Sequence, residues 1–326
     1  MADMAAGARQ ALENVCCELC SGTDEEALFV VTDRYGDRAD EFPVVRCTTC
    51  RLVYVNPRPT SESISSFYPT EYFDAEVFHQ DVPAGALPWL ESRRLEDISR
   101  FAKGGCILDV GCGAGQFLAA AKAHGWKTCG IEVSDLAASH AREHHKLDVI
   151  QKDLLEAELP DEHFDVVTMW GVLEHLHHPK AALQEVSRIL KPGGLFIALL
   201  PNIGSTQARI FGANWYLLDV PRHLYHFSEA TLRRMALCAD LPLVWGRFYA
   251  AEHDVPNLVK GLQTALHVER CNVIGQGSRP SACEPKRWTG RRVLMGVLRR
   301  AAPVLARAIA GRRSSAAMEA YFVKPG

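Results

Sequence analysis

Nowhere in the 326-residue chain do 18 apolar residues run together, so no membrane-spanning helix is expected. The nearest approach, VLMGVLRRAAPVLARAIA, is broken by Arg299, Arg300, Pro303 and Arg307. The first residues, MADMAAGARQALEN, lack a basic stretch followed by an apolar core, which argues against a secretory leader and for a cytoplasmic protein. Net charge is also scarce, at −3, so the chain as a whole is no polyelectrolyte. That charge is unevenly placed: residues 251–326 hold 13 Lys/Arg against 5 Asp/Glu, leaving −11 on the first 250 residues and +8 on the rest. An apolar fraction of 48% is enough for a sizeable core, and the length suits one α/β domain with a smaller module.

Cysteine, in contrast, is plentiful. Eleven cysteines without a secretory leader point to thiols and metal rather than disulfides. Cys17-Glu-Leu-Cys20 is followed, after 26 intervening residues, by Cys47-Thr-Thr-Cys50. Each short turn offers two thiolates to one tetrahedral ion, so these four are the expected ligands of a structural Zn²⁺, with a hairpin closing the loop between them. The alternative is four scattered core cysteines. From Glu13 to Thr60 there are nine acidic and five basic residues, a balance that disfavours phosphate backbones. The module is therefore read as structural, with FYPTEYF (67–73) after it serving as lid or core packing.

The strongest pattern is CILDVGCGAGQF (106–117): a buried strand, a turn with Gly111, Gly113 and Gly115, then an amphipathic helix. Glycines here let a ligand lie against the backbone beside a helix amino end, a device shared with dinucleotide-binding enzymes. A second strand, KTCGIE, ends at Glu132, 23 positions after Asp109, where a carboxylate can take both hydroxyls of a ribose. QKDLL, FDVVTMWGVLEHL, PKAALQEVSRIL, KPGG and LFIALLPN continue a strand–helix alternation, which predicts a doubly wound parallel sheet.

In this order and spacing the stretches ILDVGCGAGQF, GIE, KDL, FDVVTMWGVLEHL and LKPGGLFIALLPN resemble the class I S-adenosylmethionine-dependent methyltransferases over about residues 100–250. AMEAYFVKP looks like the last strand of the same sheet. The resemblance implies a Rossmann-like, mostly parallel seven-stranded α/β sheet with a zinc-ribbon module at residues 1–60, a helical lid or linker at 61–99, a basic helical insertion at 251–315 and a final strand at 316–326. It also implies S-adenosylmethionine as cofactor. Gly111, Gly113 and Gly115 would shape the pocket and Asp109 would order the loop. Glu132 would hold the ribose, Asp153 with Leu154 the adenine, and Trp170 or Gly171 would flank the methionyl end. The cysteine module with VVRCTTCRLVYVNPRPT resembles a bacterial subgroup, many of which modify sugars, lipids or other small molecules.

Methyl transfer to a hydroxyl profits from a positioned base, and histidine suits that task near neutral pH. PRHLYHFS (221–228) supplies His223, the expected base or acceptor-positioning group, and His226, which can instead pack in the turn. Arg222 is a candidate grip for an acidic acceptor or a surface ion pair, and Trp215 and Tyr216 are candidate walls of an acceptor pocket. Glu174 and His175 form a second constellation. Some related O-methyltransferases place Glu-x-x-Glu-His here to hold Mg²⁺, but Gly171 stands where the first Glu would be, so three ligands require His223 or His226. The structural alternative is a Glu174–His175 hydrogen bond, with His177 and His178 exposed.

From Lys286 to Arg313 nine basic residues meet no acidic one. That stretch is read either as a helix resting on anionic lipid or as packed helices with arginines in water. The expected function is methylation of a small-molecule, sugar or lipid-linked acceptor. An RNA or protein methyltransferase and a non-catalytic cofactor-binding regulator are the alternatives; nucleic acid is disfavoured by the acidic module.

Overall fold

The computed structural model describes residues 11–33, 40–68, 87–247, 251–265 and 315–326. Near the front, β1 (Leu12–Glu13) is followed by β2 (Glu25–Thr32), β3 (Glu41–Cys47), β4 (Val53–Val55) and β5 (Arg58–Pro59). β2 and β3 form the hairpin expected between the cysteine pairs, antiparallel from Glu25 opposite Cys47 to Thr32 opposite Glu41. α1 (Leu87–Ile98) leads into the main domain.

There β6 (Cys106–Val110), α2 (Gln116–Ala123), β7 (Lys127–Ile131), α3 (Asp135–His145), β8 (Val149–Ile150), β9 (Phe164–Trp170), α4 (Pro179–Ile189) and β10 (Leu190–Pro201) alternate. α5 (Thr206–Phe211), β11 (Tyr225–His226), α6 (Glu229–Leu237), β12 (Leu243–Arg247), α7 (Ala251–Ala265) and β13 (Ala317–Val323) follow. The seven-stranded sheet has the order β12-β13-β10-β9-β6-β7-β8, with β13 antiparallel to both neighbours and β6, β7, β8, β9 and β10 parallel along their shared edges. AMEAYFVKP does supply its last strand to be made.

Local physics accounts for these elements. The central strands carry near-continuous apolar runs because helices cover both faces, and Leu108, Val166, Val167 and Met169 are fully buried. α4 starts on Pro179, which forfeits no needed amide, and buries Ala182, Leu183, Val186 and Ile189 at helical spacing. It ends just before Lys191-Pro192, where the residue preceding proline disfavours helix. α6 opens, as expected, on Ser228, in a reciprocal cap with Thr231.

The cysteine module does not close on itself. Its four-stranded sheet runs β11-β4-β3-β2, so the edge strand Tyr225–His226 comes from the far half of the chain. One apolar core joins Cys47, Cys50 and Leu52 of the module to Met235 and Ala236 of α6 and to the main sheet.

Two expectations fall outside the described residues: FYPTEYF beyond Tyr68, and the basic segment 286–313 with its membrane contact. Among the described residues no helix is long and apolar enough to cross a membrane.

Candidate active site

The glycine turn sits at the carboxyl end of β6, where ligands bind in open α/β sheets. A Cβ on Gly115 would come 2.5 Å from Leu147 and 2.9 Å from Ala141, so this glycine lets α2 seat against α3. Gly113, at φ +53°, has open space where its Cβ would stand. Its amide donates to Glu132 Oε2 at 2.8 Å, and Ser134 N donates to Glu132 Oε1 at 2.8 Å. Each carboxylate oxygen keeps a further lone pair for another donor. Burial raises the Glu132 pKa, opposed by the amides of Ser134, Gly113 and Val133.

Asp109 behaves otherwise than expected. Its carboxylate accepts from Thr168 Oγ1 at 2.6 Å on the neighbouring strand, and burial pushes it up to about 8. The carboxylate that orders the loop is Glu132. Asp153 caps its own turn, accepting from Leu155 N at 2.9 Å. The Leu154 side chain is 2% exposed in the core, and the neighbouring Leu155 is exposed. Trp170 packs edge-on to Phe117 at 5.2 Å, and its buried indole Nε1 has no partner among the described residues. Gly171, at φ +73°, turns the chain just past β9.

Across the Trp170 ring, at 4.1 Å, stands the guanidinium of Arg94, ion-paired with Glu91. No sequence motif singled out Arg94; only its place on an amphipathic helix leading into β6 could have drawn attention to it.

A second cluster gathers in the turn after β9. His175 Nδ1 lies 3.1 Å from the Arg222 carbonyl and 3.0 Å from the Tyr68 hydroxyl. His223 Nδ1 lies 2.9 Å from the Leu217 carbonyl. Carbonyls only accept, so both neutral rings carry their proton on Nδ1 and leave a lone pair on Nε2. Glu174, 3% exposed, has an Oε2 without a partner among the described residues. One ligand atom from each of Glu174, His175 and His223 lies within 4.8 Å of the others. The anticipated Glu174–His175 hydrogen bond is not what joins these two residues.

The electrostatics follow from burial. It lowers His175 to about 3 and His223 to about 4, the latter in spite of Asp219, whose Oδ2 is 4.0 Å from Nε2. Burial lifts Glu174 to about 8. Asp219 went unnoticed in the sequence, although it stands four residues before His223, on the same short turn. His226, 1% exposed, has neither ring nitrogen partnered among the described residues, and burial lowers it to about 3.

Other expected site residues are placed differently. Arg222 is wholly buried and held by Asp33, Asp219 and the Phe67 carbonyl, so it is neither a surface ion pair nor open to an acceptor. Trp215 is also fully buried, packed among module residues such as Phe42, Val44 and Val53, and does not wall a pocket. The Tyr216 hydroxyl takes Lys260 at 2.9 Å. His178 is exposed as expected, but His177 is half-buried, its Nε2 3.1 Å from the Pro59 carbonyl.

A buried carboxyl that titrates near 8 gives a stability test. With no divalent cation added, the folded protein keeps the Glu174 proton that the unfolded chain releases above about pH 4.5. Stability from this group is therefore whole below that pH and is lost as the pH climbs through 8. Glu174→Gln should melt with the parent near pH 5 and about 5 °C higher at pH 9. Parallel melting curves across the whole range would contradict this reading of the site.

In the cysteine module, Cys17 and Cys50 sulfurs lie 3.3 Å apart, Cys20 and Cys47 3.5 Å, and all four fall within 4.8 Å. A tetrahedral ion with Zn–S near 2.3 Å needs sulfurs about 3.8 Å apart, so the set fits zinc. Both knuckles turn alike: Ser21 and Arg51, each just past its second cysteine, adopt φ of 58° and 70° and donate to the carbonyls of Cys17 and Cys47.

Comparison with known proteins agrees with this geometry. A family profile described as "Methyltransferase domain" matches residues 89–244. A ubiquinone biosynthesis O-methyltransferase from Alkalilimnicola ehrlichii is 32% identical over 182 residues, covering 52% of this chain and 69% of that protein. Its counterpart from Xanthomonas campestris pv. campestris (strain B100) is 32% identical over 191 residues, covering 54% of this chain and 79% of that protein. Among solved structures, a SAM-dependent methyltransferase from Archaeoglobus fulgidus is 19% identical, with a TM-score of 0.49 over 77% of this chain and 100% of that one. With the glycine turn, Glu132 and the sheet order in place, the profile and the two relatives establish that this chain belongs to the S-adenosylmethionine-dependent methyltransferases.

Proposed function

We propose that the protein methylates a hydroxyl oxygen of a small acceptor, of the kind that its O-methyltransferase relatives serve in ubiquinone biosynthesis. The observation that carries this reading is the convergence of Glu174, His175 and His223, with Glu174 Oε1 next to Gly171. The cofactor supplies a methyl carbon already activated by positively charged sulfur. The chain's own residues have to hold it, aim the acceptor and handle one proton.

Gly113 leaves room for the cofactor, and Glu132 takes the ribose hydroxyls through its spare lone pairs. Asp153 and Leu154 would border the adenine. Trp170 and Gly171 flank the methionyl end, and Arg94 is the cation available to its carboxylate. On the acceptor side, His223 Nε2 is unprotonated at neutral pH and accepts the hydroxyl proton, while its Nδ1–H stays fixed on Leu217. A second arrangement is favoured by the buried carboxylate: Glu174, His175 and His223 would hold a divalent cation, which would supply Lewis acidity to the hydroxyl. Two imidazoles oriented by backbone carbonyls and one carboxylate are a donor set suited to such an ion. The four cysteines are read as the holders of a structural Zn²⁺.

Incubation with methyl-labelled cofactor and a bacterial extract tests the acceptor class. Label is expected in the organic-extractable small-molecule fraction; label confined to protein, or lost with ribonuclease, would overturn the reading. His223→Ala should lower turnover about 100-fold or more while leaving S-adenosylhomocysteine affinity unchanged. If EDTA silences the enzyme and Mg²⁺ or Mn²⁺ restores it, the cation arrangement holds over the simple base.

A further inference from the structure

The acceptor histidines do not stand on the methyltransferase domain alone. The Leu224 amide donates to the Glu174 carbonyl at 2.9 Å, and the Leu224 carbonyl accepts from Val55 N of β4 at 2.9 Å. The segment between His223 and His226 is thus threaded between the loop after β9 and the cysteine module. Arg222 adjoins the same thread. Its Nη2 reaches Asp33 Oδ1 at 2.8 Å, just past β2, and Asp219 Oδ1 at 2.9 Å, while Nη1 donates to the Phe67 carbonyl at 2.8 Å. Its own carbonyl receives His175 Nδ1. One fully buried cation therefore joins the far end of the module hairpin, the strap that leaves the module and the turn that carries His223.

We infer that Arg222 is a positioning residue through which the cysteine module sets the placement of His175 and His223, with Asp33 as its anchor on the module. A side chain this enclosed cannot touch the acceptor. A buried guanidinium held by two carboxylates and a carbonyl has little freedom to move without breaking charge-assisted bonds. The inference rests on reading the His175–His223 side as the acceptor site. It adds that the module, some distance along the sheet from its metal-binding end, is part of what aims those rings.

The test uses the full-length, zinc-loaded protein labelled with ¹⁵N at histidine. Asp33→Ala leaves Arg222 paired with Asp219, so the fold is kept, yet the module's hold is released. The ring nitrogen resonances of His175 and His223 should move by more than their linewidths, and the Nδ1–H signature of at least one should broaden or vanish. Asp33→Asn, which still accepts from Arg222, should restore most of the parent pattern. S-adenosylhomocysteine affinity should stay within about threefold and zinc content should be unchanged. Unmoved histidine rings in Asp33→Ala would overturn the inference, as would an equal loss of S-adenosylhomocysteine binding, which marks a general structural role. No acceptor enters these measurements, so an error about the methylated group leaves the result readable.

Discussion

Replacing Glu132 by alanine is expected to weaken S-adenosylmethionine binding a few-hundred-fold. The carboxylate takes the amides of Gly113 and Ser134 at 2.8 Å each, so its removal frees the glycine turn and deletes the proposed acceptor for the ribose hydroxyls. Hydrogen bonds to a charged group contribute about 1.5–3 kcal/mol each, and two of them correspond to roughly two orders of magnitude or more in affinity. Glu132→Gln keeps the shape and one carbonyl oxygen but turns an amino group toward a backbone N–H, so it should lose about tenfold. Calorimetric titration with S-adenosylhomocysteine separates the two variants. An alanine variant that binds within threefold of the parent would show that neither the turn nor the ribose depends on this side chain.

Removing the zinc proposed for the four cysteines should have the other large effect. Binding to such sites is worth about 10–16 kcal/mol in small zinc domains at neutral pH, and that energy is folding energy. Here the ion would clamp the base of the β2–β3 hairpin, whose core continues through Cys47, Cys50 and Leu52 into α6. Arg234 of α6 also donates to the Cys50 carbonyl at 3.1 Å. Cys47→Ser is expected to abolish zinc retention and to lower the melting temperature by well over 10 °C. The measurement is zinc content by chelator release beside thermal unfolding. Equal melting temperatures for zinc-loaded and zinc-depleted protein would remove the ion from the account.

Much of this architecture was legible because its signals are local. The glycine turn, the paired cysteines, Ser228 as a cap and the strand–helix alternation each depend on neighbours a few residues away. The loop-ordering role of Glu132 was missed, since one of its two amide donors, Gly113, lies 19 positions away. Misplaced residues were those whose surroundings are assembled from distant segments. Arg222 looked like an acceptor grip or a surface ion pair because Asp33, which pairs with it in the core, lies 189 residues away in sequence. Trp215 looked like a pocket wall, but the module's β-hairpin covers it. Arg94 carried no motif at all, since its meaning comes from the Trp170 ring beneath it. Composition and periodicity describe which face of an element is apolar, and they are silent about which partner arrives there.

The edge strand β11 also fixes an order of events while the chain is being made. Val53 of the module pairs with His226, a residue synthesised 173 positions later. At about 5–20 residues per second, the ribosome leaves the cysteine hairpin exposed for roughly ten to thirty seconds before its fourth strand exists. During that interval the knuckles can capture their ion, yet β4 presents unpaired amides and carbonyls to solvent. The segment that carries His223 and His226 is then laid down on a module already waiting for it, so the part of the chain that emerges first receives a strand from the part made much later.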